Sequence, residues 1–134
     1  MIIEMRTYTL QPGTVAAFED RFAAALPARA KISPLAAFWH TEVGPLNRVI
    51  HVWPYEDLGA RTRLREEATK LQGWPPNVRE FELELQSDIY IPAPFSPRPL
   101  PAARSDPADH ISRPRGAAKR GLDRSGVSAD KRSA

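Results

Sequence analysis

Glu4, Arg6 and Tyr8 stand two residues apart, so a strand that holds them puts all three on one face. An arginine there can hold an anion or a carbonyl oxygen, and a neighbouring Glu or Tyr can move a proton. His40 and His51 flank a turn, and a hairpin would bring them to one face. Histidine titrates near neutral pH and serves as base or metal ligand. With Glu4 or Glu42 the pair could imitate a two-histidine, one-carboxylate metal centre, although nothing in the spacing requires one. Trp53 and Tyr55 follow at two-residue steps and could wall an apolar ligand. Arg61 and Arg65 are helical i,i+4 neighbours, placed to hold an acid at a cavity mouth. The catalytic candidates are His51, Glu4 and Tyr8. The candidate ligand-binding set is Arg6, Tyr8, His40, His51, Trp53, Arg61 and Arg65. No metal and no cofactor is expected.

Each of these residues has a plainer reading, and for most of them it is the commoner outcome. Glu4 and Arg6 can be a structural pair. A buried histidine is usually just hydrogen-bonded. Trp53 and Tyr55 can be packing. Arg61, Arg63 and Arg65 can form a solvated face with ion pairs to Glu56, Asp57, Glu66 or Glu67.

The elements that must position these residues follow from periodicity and turn chemistry. Residues 2–10 alternate as a strand, with Ile3, Met5 and Thr7 opposite Glu4, Arg6 and Tyr8. Gln11-Pro12-Gly13 ends it, and Thr14 is placed to cap a helix. Val15, Phe18, Phe22, Ala25 and Leu26 make that helix amphipathic, and Pro27 should end or kink it. A strand over 35–43 and another over 49–53 enclose the turn Gly44-Pro45-Leu46-Asn47. Asp57 can cap a second helix over 58–71, which Gly73 and Trp74-Pro75-Pro76 stop. A last strand spans about 81–91.

The order β-α-β-β-α-β is the ferredoxin-like split motif, an α+β fold with a four-stranded antiparallel sheet. The expected helix-facing side carries Ile3, Met5, Thr7 and Trp39. The opposite side then carries Glu4, Arg6, Tyr8, His40, His51 and Trp53, with Gln86, Asp88 and Tyr90. That side is too aromatic for open water and too polar for a plain core. A second copy should cover it, making a homodimer that closes a barrel around a partly polar cavity able to take a small molecule.

The chain of 134 residues allows one domain of modest core. It has no cysteine, which excludes disulfides, thiolate metal sites and a cysteine nucleophile. Its net charge of +3 is unevenly spread: residues 1–97 hold 10 Lys and Arg against 12 Asp and Glu, residues 98–134 hold 9 against 4. Half of the 14 prolines fall between Pro92 and Pro114. Such a segment cannot bury enough surface to fold, so 98–134 is expected to be a disordered basic tail beside a domain at 1–97. Lacking interleaved aromatics, the tail does not suit nucleic acid. No membrane-length apolar run and no secretory signal is visible, so a cytoplasmic protein is expected.

Several short stretches in this order resemble bacterial members of the NIPSNAP family. They are Glu4-Met5-Arg6-Thr7-Tyr8 with Pro12-Gly13, Thr41-Glu42-Val43-Gly44-Pro45-Leu46-Asn47, and His51-Val52-Trp53-Pro54-Tyr55-Glu56-Asp57 with Arg61 and Arg65. Ser87-Asp88-Ile89-Tyr90 and Pro94-Phe95-Ser96-Pro97 complete the set. The resemblance covers 1–97 and implies the dimeric α+β barrel. Other members of that superfamily are cofactor-free monooxygenases, isomerases or haem enzymes, whereas the NIPSNAP family itself has no settled reaction. Its eukaryotic members are mitochondrial and linked to vesicle traffic and mitophagy; their targeting segment is not read in this chain. Two functions follow as expectations: a homodimer that binds or converts a small molecule, or a non-catalytic interaction domain whose sheet face only forms the dimer. Deleting 98–134 is expected to leave melting temperature and oligomeric state unchanged, as read by calorimetry and light scattering.

Overall fold

A computed structural model describes residues 1–97. The elements are β1 (Ile2–Leu10), α1 (Val15–Ala30), β2 (Ala37–His40), β3 (Arg48–Tyr55), α2 (Leu58–Thr69), a short 3-10 turn at Arg79–Phe81 and β4 (Glu82–Tyr90). The sheet is antiparallel with strand order β2-β3-β1-β4. This is the split β-α-β-β-α-β arrangement expected from the order of elements. The tail at 98–134 lies outside the described residues.

On β1, β2 and β3 the two sheet faces are the reverse of the expectation, whereas on β4 Leu85 and Ile89 stay on the helix side and Gln86, Asp88 and Tyr90 lie on the face of Ile3, Met5 and Thr7. Register pairs Glu4 with Trp53, Arg6 with His51 and Tyr8 with Val49, so these six share a face. The helices pack on that face. Phe18 of α1 meets the Tyr8 ring edge-on at 5.9 Å, and Phe22 contacts both His51 and Phe38. Arg61 of α2 bonds Glu4. Ile3, Met5, Thr7, Ile50 and Val52 lie on the other face with Trp39, which is 53% exposed rather than core. Both faces of β1 carry apolar groups, so alternation alone could not rank them. The aromatic face wins because it offers the larger apolar area to α1, and its charges find partners on α2 and β4.

Local expectations needed smaller corrections. Thr14 does not cap α1: its hydroxyl donates back to the Gln11 carbonyl at 2.7 Å. Pro27 lies inside α1, which runs on to Ala30 because Arg29 anchors its last turn in the core. β2 is shorter than expected, and β3 runs through Pro54, which pairs with Ile3. Asp57 does cap α2, its carboxylate accepting from the Ala60 amide at 2.7 Å. Gly13 (φ +82°) and Gly73 (φ +83°) adopt the left-handed conformation that ends β1 and follows α2. Leu85 and Ile89 share the helix-side face by register, yet stay 51% and 40% exposed on the edge strand β4. The connection from α2 to β4 folds back over the sheet, where Arg21 donates to the Asn77 carbonyl at 2.7 Å and Trp74 packs edge-on against Phe22.

Candidate functional site

Between the sheet and this connection lies a cavity of about 610 Å³. β1 supplies Arg6 and Tyr8, β3 supplies His51, Trp53 and Tyr55, α1 supplies Arg29, and α2 supplies Arg65. Trp74, Val78, Arg79 and Glu82 close the far wall. Alternation aims the strand residues inward, and the helix ends bring their arginines over them.

Behind this wall Glu4 is wholly buried. One oxygen, Oε1, accepts from Arg61 at 2.7 Å, Ser87 at 2.8 Å and Arg6 at 3.1 Å, with Arg65 at 3.7 Å. Oε2 has no partner among the described residues. Burial opposes ionisation of Glu4. Hydrogen bonds from Arg61 and Ser87 and the charges of Arg65 and Arg6 outweigh it, bringing the pKa from 4.5 to about 2. Glu4 is therefore an ionised anchor for arginines at neutral pH. It neither lines the cavity nor holds a proton to give.

Arg6 uses Nε to bond the Tyr8 hydroxyl at 2.9 Å, so that oxygen accepts and keeps its own hydrogen for another partner. Arg29 lies across the Trp53 ring, 4.8 Å from its centroid, and donates to the Tyr55 hydroxyl at 3.1 Å. Its second terminal nitrogen, Nη1, is buried without a partner among the described residues. His51 is buried among Tyr8, Phe22, Phe38 and Trp53. Its Nδ1 takes a 2.6 Å hydrogen bond from the Trp53 indole, and its Nε2 has no partner among the described residues. Burial, with the Arg6 charge behind it, pulls the His51 pKa from 6.5 to about 3.

The sequence matches the NIPSNAP family over residues 3–97. The chain belongs to the NIPSNAP family. The NipSnap homolog of Dictyostelium discoideum is 34% identical over 84 residues, 63% of this chain and 38% of that protein. Human NipSnap homolog 2 is 32% identical over 99 residues, 72% of this chain and 35% of that protein. The chain thus spans under two-fifths of the length of these relatives. A crystal structure of a NIPSNAP-like domain protein from Burkholderia xenovorans superposes with a TM-score of 0.65 at 32% identity, covering 72% of this chain and 88% of the other.

Within this NIPSNAP domain, Arg6, Tyr8, His51, Trp53 and Arg65 meet at one cavity. The cavity lies between sheet and helices, not on a face left for a second subunit. Arg61 serves Glu4 and does not line it. The expected ion pairs of Arg61 and Arg65 with Glu56, Asp57, Glu66 or Glu67 give way to Glu4. His40 shares the face of His51 by register, yet it is exposed and bonds Glu19 of α1 at 2.6 Å. The two histidines therefore do not form a joint centre. Among the described residues no group of three or more His, Cys, Asp or Glu could hold a metal. Arg29, Arg79 and Glu82 are lining residues that sequence reasoning missed. For Arg29 a signal existed: it continues the buried stripe Phe18, Phe22, Ala25, where an arginine must find partners inside.

Both lowered pKa values act in one direction on stability. The unfolded chain takes up protons at a higher pH than the folded protein, so acid favours unfolding. His51 acts as pH falls from 6.5 towards 3, Glu4 from 4.5 towards 2. Urea denaturation followed by circular dichroism is expected to lose roughly 2–3 kcal/mol to His51 between its ordinary pKa and that of Glu4. Glu4 adds a loss of about 3 kcal/mol at lower pH. His51→Leu should flatten the first segment and Glu4→Gln the second; an unchanged slope in either variant would contradict the assignment.

Proposed function

We propose that this NIPSNAP domain binds a small organic anion with an aromatic or apolar body in the cavity between sheet and helices. One observation carries the reading: arginines outnumber carboxylates at the cavity wall four to one. Arg6, Arg29, Arg65 and Arg79 line it against the single carboxylate of Glu82. Arg29 Nη1 is buried without an acceptor, and the Tyr8 hydroxyl has a hydrogen left to give. Leaving buried donors unmet costs about 1–3 kcal/mol each, and an acceptor-rich ligand removes that cost. The faces of Trp53, Trp74 and Tyr55 would cover its apolar part.

The second reading concerns the other side of the sheet. Ile3, Met5, Ile50, Val52 and the exposed Trp39 form an apolar patch, beside Gln86 and Asp88 of β4, that no element among the described residues covers. A second copy would bury it, and a homodimer built there leaves the cavity of each subunit intact. If the domain serves interaction alone, only this face matters. Among the described residues no helix is long and apolar enough to cross a membrane. Residues 1–97 carry more acid than base, which does not favour a nucleic-acid partner.

Calorimetric titration of the full chain with phenylacetate and with neutral phenylacetamide separates the two readings. Saturable binding of the anion is expected, at least about tenfold tighter than the amide, and roughly tenfold weaker in Arg65→Gln. Trp39→Glu should give monomers by light scattering while leaving anion affinity unchanged. Equal or absent binding of the two probes would leave only the interaction reading.

A further inference from the structure

The buried ring of His51 is held by a group that can only donate. The Trp53 indole nitrogen carries a hydrogen and offers no lone pair. Its 2.6 Å contact with His51 Nδ1 therefore makes Nδ1 the acceptor. A ring nitrogen that accepts carries no proton, so in the neutral imidazole the proton sits on Nε2. Adding a second proton at Nδ1 would set two N–H groups head to head.

The surroundings oppose that second proton as well. Phe22 of α1, Phe38 of β2 and Tyr8 of β1 enclose the ring. The charges that reach it are Arg6, Arg65 and Glu4; the arginines oppose an imidazolium, and Glu4 is already bonded by Arg6, Arg61 and Ser87. His51 thus holds a buried Nε2–H for which the described residues provide no acceptor.

Arg6 lies directly opposite His51 in the β1–β3 register. Cross-strand partners place their Cβ atoms about 5 Å apart, so guanidinium and imidazole rise side by side from the same face. Both line the cavity, with the Tyr8 hydroxyl bonded to Arg6 beside them. We infer that His51 is a fixed Nε2–H donor rather than a base, and that the cavity selects anions with a carbonyl or enolate oxygen next to the carboxylate. 2-Oxo acids are the simplest such class. The carboxylate pairs with Arg6, and the neighbouring oxygen accepts from His51. This rests on the reading of the cavity as an organic-anion site; His51 adds the selection among anions.

Two measurements on the full chain test it. Long-range proton–nitrogen NMR of the His51 ring should show a protonated Nε2 and a bare Nδ1, unchanged from pH 8 to 5. Benzoylformate and phenylacetate differ by a ketone in place of a methylene. The wild type should bind benzoylformate at least about tenfold more tightly, an increment of about 1.4 kcal/mol. His51→Leu should bring the two within about twofold with phenylacetate affinity retained, and His51→Gln, which restores an N–H donor, should recover part of the preference. A proton on Nδ1, a titration near the ordinary histidine pKa, or equal affinities in wild type would overturn the inference while the anion site stands. If neither probe binds, the anion site itself falls, and the ligand class with it.

Discussion

A carboxylate with no contact to solvent must be met by the protein, and Glu4 sets that requirement for the whole domain. Its partners come from three elements: Arg6 on β1, Ser87 on β4 and Arg61 with Arg65 on α2. The hydrogen bonds therefore tie the second helix to two strands at one point. Removing the carboxylate would leave several guanidinium groups crowded together. Removing the arginines would leave a buried charge alone, which costs far more than a surface pair gives. The helix-side face of the sheet could become internal only because these charges complete one another.

That arrangement also fixes the cavity. Arg6 is drawn between Glu4 and the Tyr8 hydroxyl, and so stands at the boundary between the ion cluster and the aromatic chamber. Arg29 enters from the opposite side, across Trp53 and onto Tyr55. Both guanidinium groups are immobilised by neighbours that leave part of their hydrogen-bonding capacity unspent. A ligand bound in a cavity organised this way would lose less entropy, because the groups that meet it are already in place. The His51–Trp53 contact follows the same logic, since the indole fixes the proton on the imidazole as well as the ring's orientation.

The two sides of the sheet divide the labour. One holds the aromatic core, the ion cluster and the cavity. The other carries an aliphatic patch of Ile3, Met5, Ile50 and Val52 with Trp39 at its margin and Gln86 and Asp88 of β4 beside it, apart from the buried ion cluster. A protein organised this way can join a second copy without disturbing its interior. The NIPSNAP family relation accounts for the shared fold, and the chemistry must be argued from the residues that meet inside.

The sequence by itself determined the order of elements, the antiparallel pairing and the residues that gather near one another. Period-two alternation, Gly13, Asp57 and the turn at 44–47 are local signals, and local signals survive into the fold. It also brought Arg6, Tyr8, His51 and Trp53 to one face, because cross-strand register follows from the turns. Only the tertiary structure decided which face the helices cover. Ile3 and Met5 looked like the helix-facing core, and Glu4 and Arg6 looked like a face left for a second copy, because residue type was weighed one side chain at a time. The choice depended on partners remote in sequence: Phe18 and Phe22 from α1, Arg61 from α2 and Ser87 from β4. Nor could residue types give the role of His51. Its proton is placed by a single hydrogen bond from Trp53, and that bond exists only once both side chains are enclosed on the same face.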